Sequence, residues 1–232
     1  MSPSSPTRRP ARAAASPSRK PTAPAASRQP PSSKRLPIAL IIAAALAIGL
    51  VVVIVITMGS GGNDTVQVGT PVITGQSLPE FDTVQNDTAL GMTIPEVTGA
   101  DFAGTPVSIT LNGKPKMLVF FAHWCSVCQR EVPLISDWLP GATLPQGLEI
   151  ISVNTGVSPN SNNYPPSRWL EREDWPAPVI LDDTQSTVGV AFGLSAYPYF
   201  VFVDADGRVA LRATGGLAID AIEQIITQLV GA

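Results

Sequence analysis

The sequence is poor in the residues that build most disulfide, metal and nucleotide sites. Of its 232 residues only two are cysteines, Cys125 and Cys128, and His123 is the single histidine. Two cysteines exclude a scaffold held by several disulfides and a four-cysteine zinc site, and one histidine excludes any site that needs two imidazoles. Neither a Walker-type phosphate loop nor a G-x-G-x-x-G run is present. The sequence therefore gives no support to the common nucleotide-binding folds.

Charged residues are also scarce, at 14% of the chain against about 25% in a typical globular domain, and they are unevenly distributed. Residues 1–35 hold eight of the fifteen Lys and Arg residues, eight prolines and no Asp or Glu, whereas the rest holds seven basic and all eighteen acidic residues. Since proline interrupts helices and few large apolar side chains are available there, we predict a disordered basic cytoplasmic tail over 1–35. No aromatic residues lie between its charges, so nucleic-acid binding is not favoured.

An uncharged apolar run of 21 residues, 38–58, follows this tail. As a helix it would reach ~31 Å, which matches the ~30 Å hydrocarbon core of a bilayer, and Lys34 and Arg35 before it predict a cytoplasmic N-terminus. We predict a single-pass transmembrane signal-anchor over 36–58, a flexible extracytoplasmic linker over 59–87 and a globular domain over 88–232. A cleaved signal peptide is the alternative, although its apolar region is normally shorter.

Strand and helix patterns alternate beyond residue 88. Short apolar runs bounded by turns predict strands, and helical periodicity predicts helices. The predicted strands cover 107–111, 117–122, 148–153, 179–181, 200–203 and 209–213. The predicted helices cover 125–139, a short piece near Trp169, 184–192 and 218–230. This order is typical of an α/β domain in which helices flank a mixed central sheet.

The chemically distinctive segment runs from Phe120 to Pro133 and reads F-F-A-H-W-C-S-V-C-Q-R-E-V-P. A buried strand leads into two cysteines separated by two residues, and a helix is predicted to begin there. The free N–H groups and the dipole of a helix N-terminus favour a thiolate at Cys125, and the thiolate is the form that attacks disulfides. Cys128 is then the resolving thiol. The pattern indicates thiol–disulfide exchange through a redox-active Cys125–Cys128 disulfide, with no other cofactor and no metal.

Several motifs together resemble the TlpA/ResA-like membrane-anchored thiol–disulfide oxidoreductases of the thioredoxin superfamily. They are W-C-x-x-C from Trp124, its continuation C-x-x-E-x-P through Glu131, G-K-P at 113–115, and F-G-L at 192–194 followed by Tyr197-Pro198. The resemblance implies a thioredoxin-like fold over about residues 90–232, with a cis-proline at Pro198 that faces the cysteines and binds substrate. It also implies exported protein thiols or disulfides as substrates. A DsbD/CcdA-like membrane electron donor is implied as well, and keeping apocytochrome c reduced for cytochrome c maturation is a typical task.

Two positions depart from the family pattern. Val119 stands where thioredoxins carry a buried aspartate, so the proton acceptor for Cys128 is open. Glu131 is a candidate by proximity in sequence, or else a solvated helix residue. Tyr199 replaces the usual threonine after the cis-proline, and Tyr197 precedes it, which predicts unusually bulky contacts with substrate.

His123 and Trp124 directly precede the first cysteine. A protonated His123 would favour the Cys125 thiolate, whereas an exposed histidine would have no role. Trp124 could belong to the core, but its position and the match to the family favour a side chain that covers the disulfide.

Other functions stay open on the residues alone. The reaction runs either as disulfide reduction, which we favour, or as oxidation that forms disulfides in exported proteins. Cys125, Cys128 and His123 could instead hold Cu(I), as thiolates suit that ion, in a metallochaperone of thioredoxin fold. The cysteines could also form a structural disulfide in an inert binding domain. A peroxiredoxin is disfavoured because its threonine, three residues before the reactive cysteine, falls at Ala122.

Overall fold

The computed structural model describes residues 66–231, and these form two β-sheets with flanking helices. The strands are β1 (Val72–Thr74), β2 (Glu96–Ala100), β3 (Pro106–Ile109), β4 (Lys116–Phe121), β5 (Glu149–Asn154), β6 (Val179–Leu181), β7 (Tyr199–Val203) and β8 (Val209–Thr214). The α-helices are α1 (Cys128–Trp138), α2 (Pro166–Arg172), α3 (Thr187–Ala191) and α4 (Ile219–Gly231). Short 3-10 turns occupy Val84–Asn86 and Leu139–Gly141.

The central sheet has the strand order β6-β5-β4-β7-β8. Strands β4, β5 and β6 are parallel, while β7 and β8 are antiparallel to their neighbours. A second, antiparallel sheet has the order β1-β2-β3. The predicted α/β architecture with a mixed central sheet is confirmed.

Strand β4 is the middle strand and is buried along its whole length. Because side chains alternate between the two faces of a strand, Leu118 and Phe120 enter one apolar core, whereas Val119 and Phe121 enter the other. The second core also contains Ile135 of α1 and side chains of α2 and α4. This explains the continuous apolar run of β4, since a strand covered on both faces has no polar side.

Strand β2 has no counterpart among the predicted elements. Its sequence, E-V-T-G-A, contains a glycine, which normally weakens a strand. The structure gives the reason for this glycine, because a Cβ atom at Gly99 would lie 2.9 Å from Ile180 Cγ2. Gly99 thus allows the small sheet to approach β6 of the central sheet.

The segment that precedes β2 is more ordered than the linker predicted over 59–87. Within its described part, 66–87, Leu78 and Phe81 are buried in the core, and the backbone N–H of Leu78 donates to Ala191 O at 2.8 Å. The predicted tail over 1–35 and transmembrane segment over 36–58 lie outside the described residues. Between residues 66 and 231, no helix is long and apolar enough to span a bilayer.

Candidate active site

The two cysteines lie where strand β4 ends and helix α1 begins. The backbone N–H of Cys125 donates to Ala122 O at 3.0 Å, and that of Gln129 donates to Cys125 O at 3.0 Å. Helix α1 starts at Cys128, three residues later than predicted, since residues 126 and 127 form a turn ahead of it. Cys125 therefore stands just before the helix, and Cys128 is its first residue.

Burial distinguishes the two free thiols. Cys125 keeps 9% of its surface exposed, whereas Cys128 is completely buried. The backbone N–H of Cys128 donates to Cys125 Sγ at 3.4 Å, and the Cys125 thiol donates to Tyr197 O at 3.6 Å. Burial raises the pKa of the Cys128 thiol far above its ordinary value, so this sulfur is protonated at neutral pH. The arrangement suits attack by the outer sulfur followed by attack by the inner one.

Trp124 and Tyr197 form an aromatic rim beside Cys125. Their rings lie edge to face, with a distance of 5.6 Å between the ring centroids. Trp124 is 40% exposed, but a 2.6 Å hydrogen bond from its Nε1 to Gly156 O fixes its position. Gly156 has a φ of +61°, and a Cβ atom there would lie 2.6 Å from the Tyr197 hydroxyl oxygen. The rim thus depends on a glycine that no motif singles out in the sequence.

The Tyr197–Pro198 peptide bond is cis, as the family resemblance predicts. Pro198 is buried at the start of β7, and its carbonyl accepts a hydrogen bond from Gly215 N at 2.9 Å. Tyr199 is wholly buried and donates its hydroxyl to Phe192 O at 2.8 Å. The predicted contact between Tyr199 and substrate is therefore wrong, because the alternation along β7 sends this side chain into the core on the opposite face from the cysteines.

His123 is completely buried, so the prediction of an exposed histidine is wrong. Its Nδ1 lies 2.7 Å from Asn162 O, and its Nε2 lies 3.1 Å from the Ser158 nitrogen. A carbonyl can only accept and a backbone N–H can only donate, so the ring is neutral, with its proton on Nδ1. Burial also lowers the pKa of His123. A charged His123 acting on the Cys125 thiolate is not what this geometry supports.

Glu131 is buried, with 7% of its surface exposed, and is not a solvated helix residue. Its Oε1 accepts a hydrogen bond from the Leu217 N–H at 2.8 Å. A Cβ atom at Gly216 would lie 2.6 Å from its Oε2, so a glycine makes room for the carboxyl group. Burial raises the pKa of Glu131, which makes it a group able to exchange a proton nearer to neutral pH than an ordinary glutamate.

A second buried acid, Asp182, was not singled out by the sequence. Its carboxylate accepts hydrogen bonds from Val188 N at 2.9 Å and Gly189 N at 3.0 Å, which are free donors of the first turn of α3. Burial is the largest influence on its pKa and raises it. Asp182 thus fixes α3 ahead of the Tyr197-Pro198 loop. In the sequence, the one signal for this role is an acid shortly before a predicted helix.

The geometry gives little support to the alternative of a metal site. Among residues 66–231, no three His, Cys, Asp or Glu side chains converge as ligands would. Both ring nitrogens of His123 already have hydrogen-bond partners. Only the two sulfurs would be left to hold Cu(I).

Comparison with known proteins agrees with this description. Residues 90–212, just over half of the chain, match the model of the AhpC/TSA family. The thiol-disulfide oxidoreductase ResA of Geobacillus thermodenitrificans is 31% identical over 145 residues, which cover 62% of this chain and 80% of that protein. ResA of Geobacillus kaustophilus is 29% identical over the same shares.

Among solved structures, the thioredoxin domain of a thiol-disulfide oxidoreductase from Bacteroides vulgatus aligns with a TM-score of 0.49 and 20% identity. The alignment covers 61% of this chain and 99% of that domain. The family match and the first ResA relative agree on one class of protein. The two free cysteines at the end of a central strand fit that class. The chain belongs to the AhpC/TSA family and is a thioredoxin-like thiol–disulfide oxidoreductase related to ResA, with Cys125 and Cys128 as its Cys-x-x-Cys pair.

Proposed function

We propose that this oxidoreductase works as a disulfide reductase outside the cytoplasm, with Cys125 as nucleophile and Cys128 as resolving thiol. The observation that carries the assignment is the unequal burial of two adjacent free thiols. Cys125 reaches the surface and receives a hydrogen bond from the Cys128 N–H. Cys128 is buried and protonated, so it reacts only after a mixed disulfide has formed beside it.

The reaction transfers two electrons to the substrate. The Cys125 thiolate attacks one sulfur of a protein disulfide, the substrate S–S bond breaks, and one substrate thiolate leaves. Cys128 then loses its proton and attacks Cys125 Sγ, which releases the second substrate thiolate. The substrate ends as a dithiol and the enzyme as the Cys125–Cys128 disulfide, which an external donor of two electrons must reduce.

The substrate is proposed to bind against the aromatic rim and the cis-proline loop. Trp124 and Tyr197 flank the attacking sulfur, and the Tyr197 carbonyl lies within hydrogen-bond distance of it. Pro198 shapes the backbone at that point. We expect Trp124 and Tyr197 to contact substrate side chains and the loop to contact the substrate backbone.

Glu131 is proposed as the acceptor of the Cys128 proton. Residues three apart lie on the same face of a helix, so Glu131 follows Cys128 along α1. Its raised pKa brings its proton affinity closer to that of a thiol than an exposed glutamate would have. This would replace the aspartate that Val119 excludes from β4.

Location and partners are inferred from the sequence. The charge asymmetry around the apolar segment supports a membrane anchor over 36–58, a cytoplasmic tail over 1–35 and an extracytoplasmic domain. Disulfides persist outside the cytoplasm, so exported protein disulfides are the proposed substrates. A reductase there needs electrons from across the membrane, for which a DsbD/CcdA-like protein is the proposed donor.

The test compares the full-length protein with Cys125→Ser, Cys128→Ser and the control Ser126→Ala, which changes an exposed residue between the cysteines. With insulin as substrate, Cys125→Ser is expected to lose at least about 1,000-fold in rate, and Cys128→Ser to accumulate a mixed disulfide visible by mass spectrometry. Full activity in Cys125→Ser would overturn these roles.

Direction is tested in growing cells by acid quenching and alkylation with a mass tag. A mostly reduced pair supports the reductase. A mostly oxidised pair would contradict it and favour an oxidase.

A further inference from the structure

The loop between β5 and α2 is tied to the imidazole of His123. The Ser158 N–H donates to Nε2, and Nδ1 donates to Asn162 O. Within this span, Ser161 N donates to Ser158 O at 3.1 Å, and the two serine hydroxyls are 2.8 Å apart. The ring therefore bridges the start and the end of a turn with its two nitrogens.

The backbone carbonyl of His123 makes further contacts to both sides. It accepts hydrogen bonds from Gln129 Nε2 of helix α1 at 2.9 Å and from Asn163 Nδ2 of the loop at 3.4 Å. His123 thus connects the helix that carries Cys128 with the loop across from it. A neutral imidazole supplies one donor and one acceptor from two separate nitrogens of one rigid ring.

The loop held in this way borders the aromatic rim formed by Trp124 and Tyr197. Its first residue, Gly156, binds the Trp124 indole and packs against the Tyr197 hydroxyl. Near its end, the ring of Tyr164 lies edge to face with the His123 ring, at 6.0 Å between the ring centroids, and Tyr164 is 43% exposed. Residues 156–165, G-V-S-P-N-S-N-N-Y-P, contain no charged side chain. The result is an uncharged, aromatic-edged wall beside that rim.

We propose that His123 is a positioning residue for thiol–disulfide exchange, which as a neutral imidazole holds loop 156–165 against Trp124 as the wall that binds the protein substrate. The inference rests on the proposed role of Cys125 as nucleophile. Within residues 66–231 no hydrogen bond joins His123 to either sulfur, so it acts on substrate affinity and not on the bond exchange. The substrate class it selects is an uncharged or apolar segment around a protein disulfide.

The kinetic test uses the full-length chain with two disulfides of different size. Insulin must lie against the wall, whereas oxidised glutathione needs only the sulfurs. In His123→Phe, which removes both ring hydrogen bonds to the loop, we expect the KM for insulin to rise about tenfold. The kcat for insulin and the rate with glutathione are expected to stay within about twofold of the wild type.

Two conservative variants test the geometry. His123→Asn can keep the donor to Asn162 O, and His123→Gln can keep the acceptor for the Ser158 N–H, so each variant is expected to restore part of the affinity lost in His123→Phe. Gln146→Ala changes an exposed residue of the turn before β5, outside this loop, and is the matched control expected to behave as wild type. If His123→Phe fails to fold, the KM values of His123→Asn and His123→Gln for insulin still test the proposal.

A spectroscopic readout is available because the chain has one histidine. In ¹⁵N-histidine-labelled protein without a purification tag, a single imidazole is expected to be neutral and protonated on Nδ1 throughout about pH 6 to 8. An Nε2-protonated or charged ring would overturn the proposal. So would equal losses with insulin and glutathione, or unchanged kinetics in all three variants. If the wild type itself shows no cysteine-dependent exchange, the proposed function fails first.

Discussion

Two buried carboxyl groups lie on opposite faces of the central sheet and have opposite environments. Asp87 meets Arg212, whose guanidinium binds it through Nε at 3.0 Å and also donates to Pro79 O at 2.8 Å. Glu131 is buried on α1, whose apolar side chains belong to the core that contains the cysteines, and it makes no ion pair within residues 66–231. Asp87 is balanced by a cation at hydrogen-bond distance, whereas Glu131 accepts its hydrogen bond from the Leu217 backbone N–H.

The pKa values reflect this difference. Burial alone would raise the pKa of Asp87, but hydrogen bonds from Arg212 and the Ala89 N–H hold it below its ordinary value. For Glu131, burial prevails and raises the pKa. A lowered pKa means that the charged acid stabilises the fold, and a raised one means that it costs stability. Such a cost is found among groups retained for chemistry, and Glu131 lies on the helix that begins at Cys128.

The largest expected effect comes from breaking the balanced pair. Arg212→Met leaves the Asp87 charge buried without its partner, and the free energy of unfolding is expected to fall by about 3–5 kcal/mol, measured by urea titration at neutral pH. Since the pKa of Asp87 is lowered, the wild-type contribution is present at neutral pH and is lost as the pH falls through that lowered value.

The double variant Asp87→Asn/Arg212→Met is the control. It removes both charges but keeps an oxygen that can accept from Ala89 N, so it is expected to be more stable than Arg212→Met alone. Exchange activity of the folded fraction should be unchanged in both. A double variant that is less stable than the single one would contradict the balanced-pair interpretation.

A smaller effect is expected at the aromatic rim, from Gly156→Ala. The added methyl group would press on the Tyr197 hydroxyl and strain a backbone with φ of +61°, so exchange with insulin is expected to slow about tenfold and stability to fall by about 1 kcal/mol. Gly113→Ala is the matched control. Gly113 also has a positive φ, +76°, but no atom lies within 4 Å of the methyl group that alanine would add. Equal losses of activity in both variants would show that backbone strain, and not the aromatic rim, is responsible.

These residues also show how far sequence reasoning reaches. The Cys-x-x-Cys pair, the central strands and the cis Tyr197–Pro198 bond follow from local patterns and family motifs. The burial of His123 does not, because its partners Ser158 and Asn162 lie 35 and 39 residues away in a loop without regular pattern.

The same limit applies to the ion pair and to Tyr199. Asp87 and Arg212 are 125 residues apart, and Asp87 falls in a polar stretch that is typical of a linker. Tyr199 follows the cis-proline as substrate-binding residues do, yet the register of β7 with β4 sends it into the core with Phe120. Short-range patterns locate elements and motifs, whereas long-range pairing decides which polar side chains are buried.

The smallest expected effect has the opposite sign to that of Arg212→Met. Glu131→Gln keeps an oxygen for the Leu217 N–H but removes the buried charge, so the protein is expected to gain up to about 1 kcal/mol of stability at pH 7. Because the folded pKa is raised, the cost of the wild-type carboxylate is present above that pKa and vanishes below about pH 4, where both states are protonated. The gain should therefore disappear in acid, as urea titrations at pH 4 and pH 7 would measure.

Activity gives the other half of this comparison. If Glu131 accepts the Cys128 proton, Glu131→Gln slows the resolving step, and the mixed disulfide with insulin accumulates as it does in Cys128→Ser. A variant that is more stable at pH 7 and slower in resolution would place stability and function in conflict at this residue. A variant that loses stability at pH 7 would show instead that Glu131 holds α1 to the loop at Leu217 in the way that Arg212 holds Asp87.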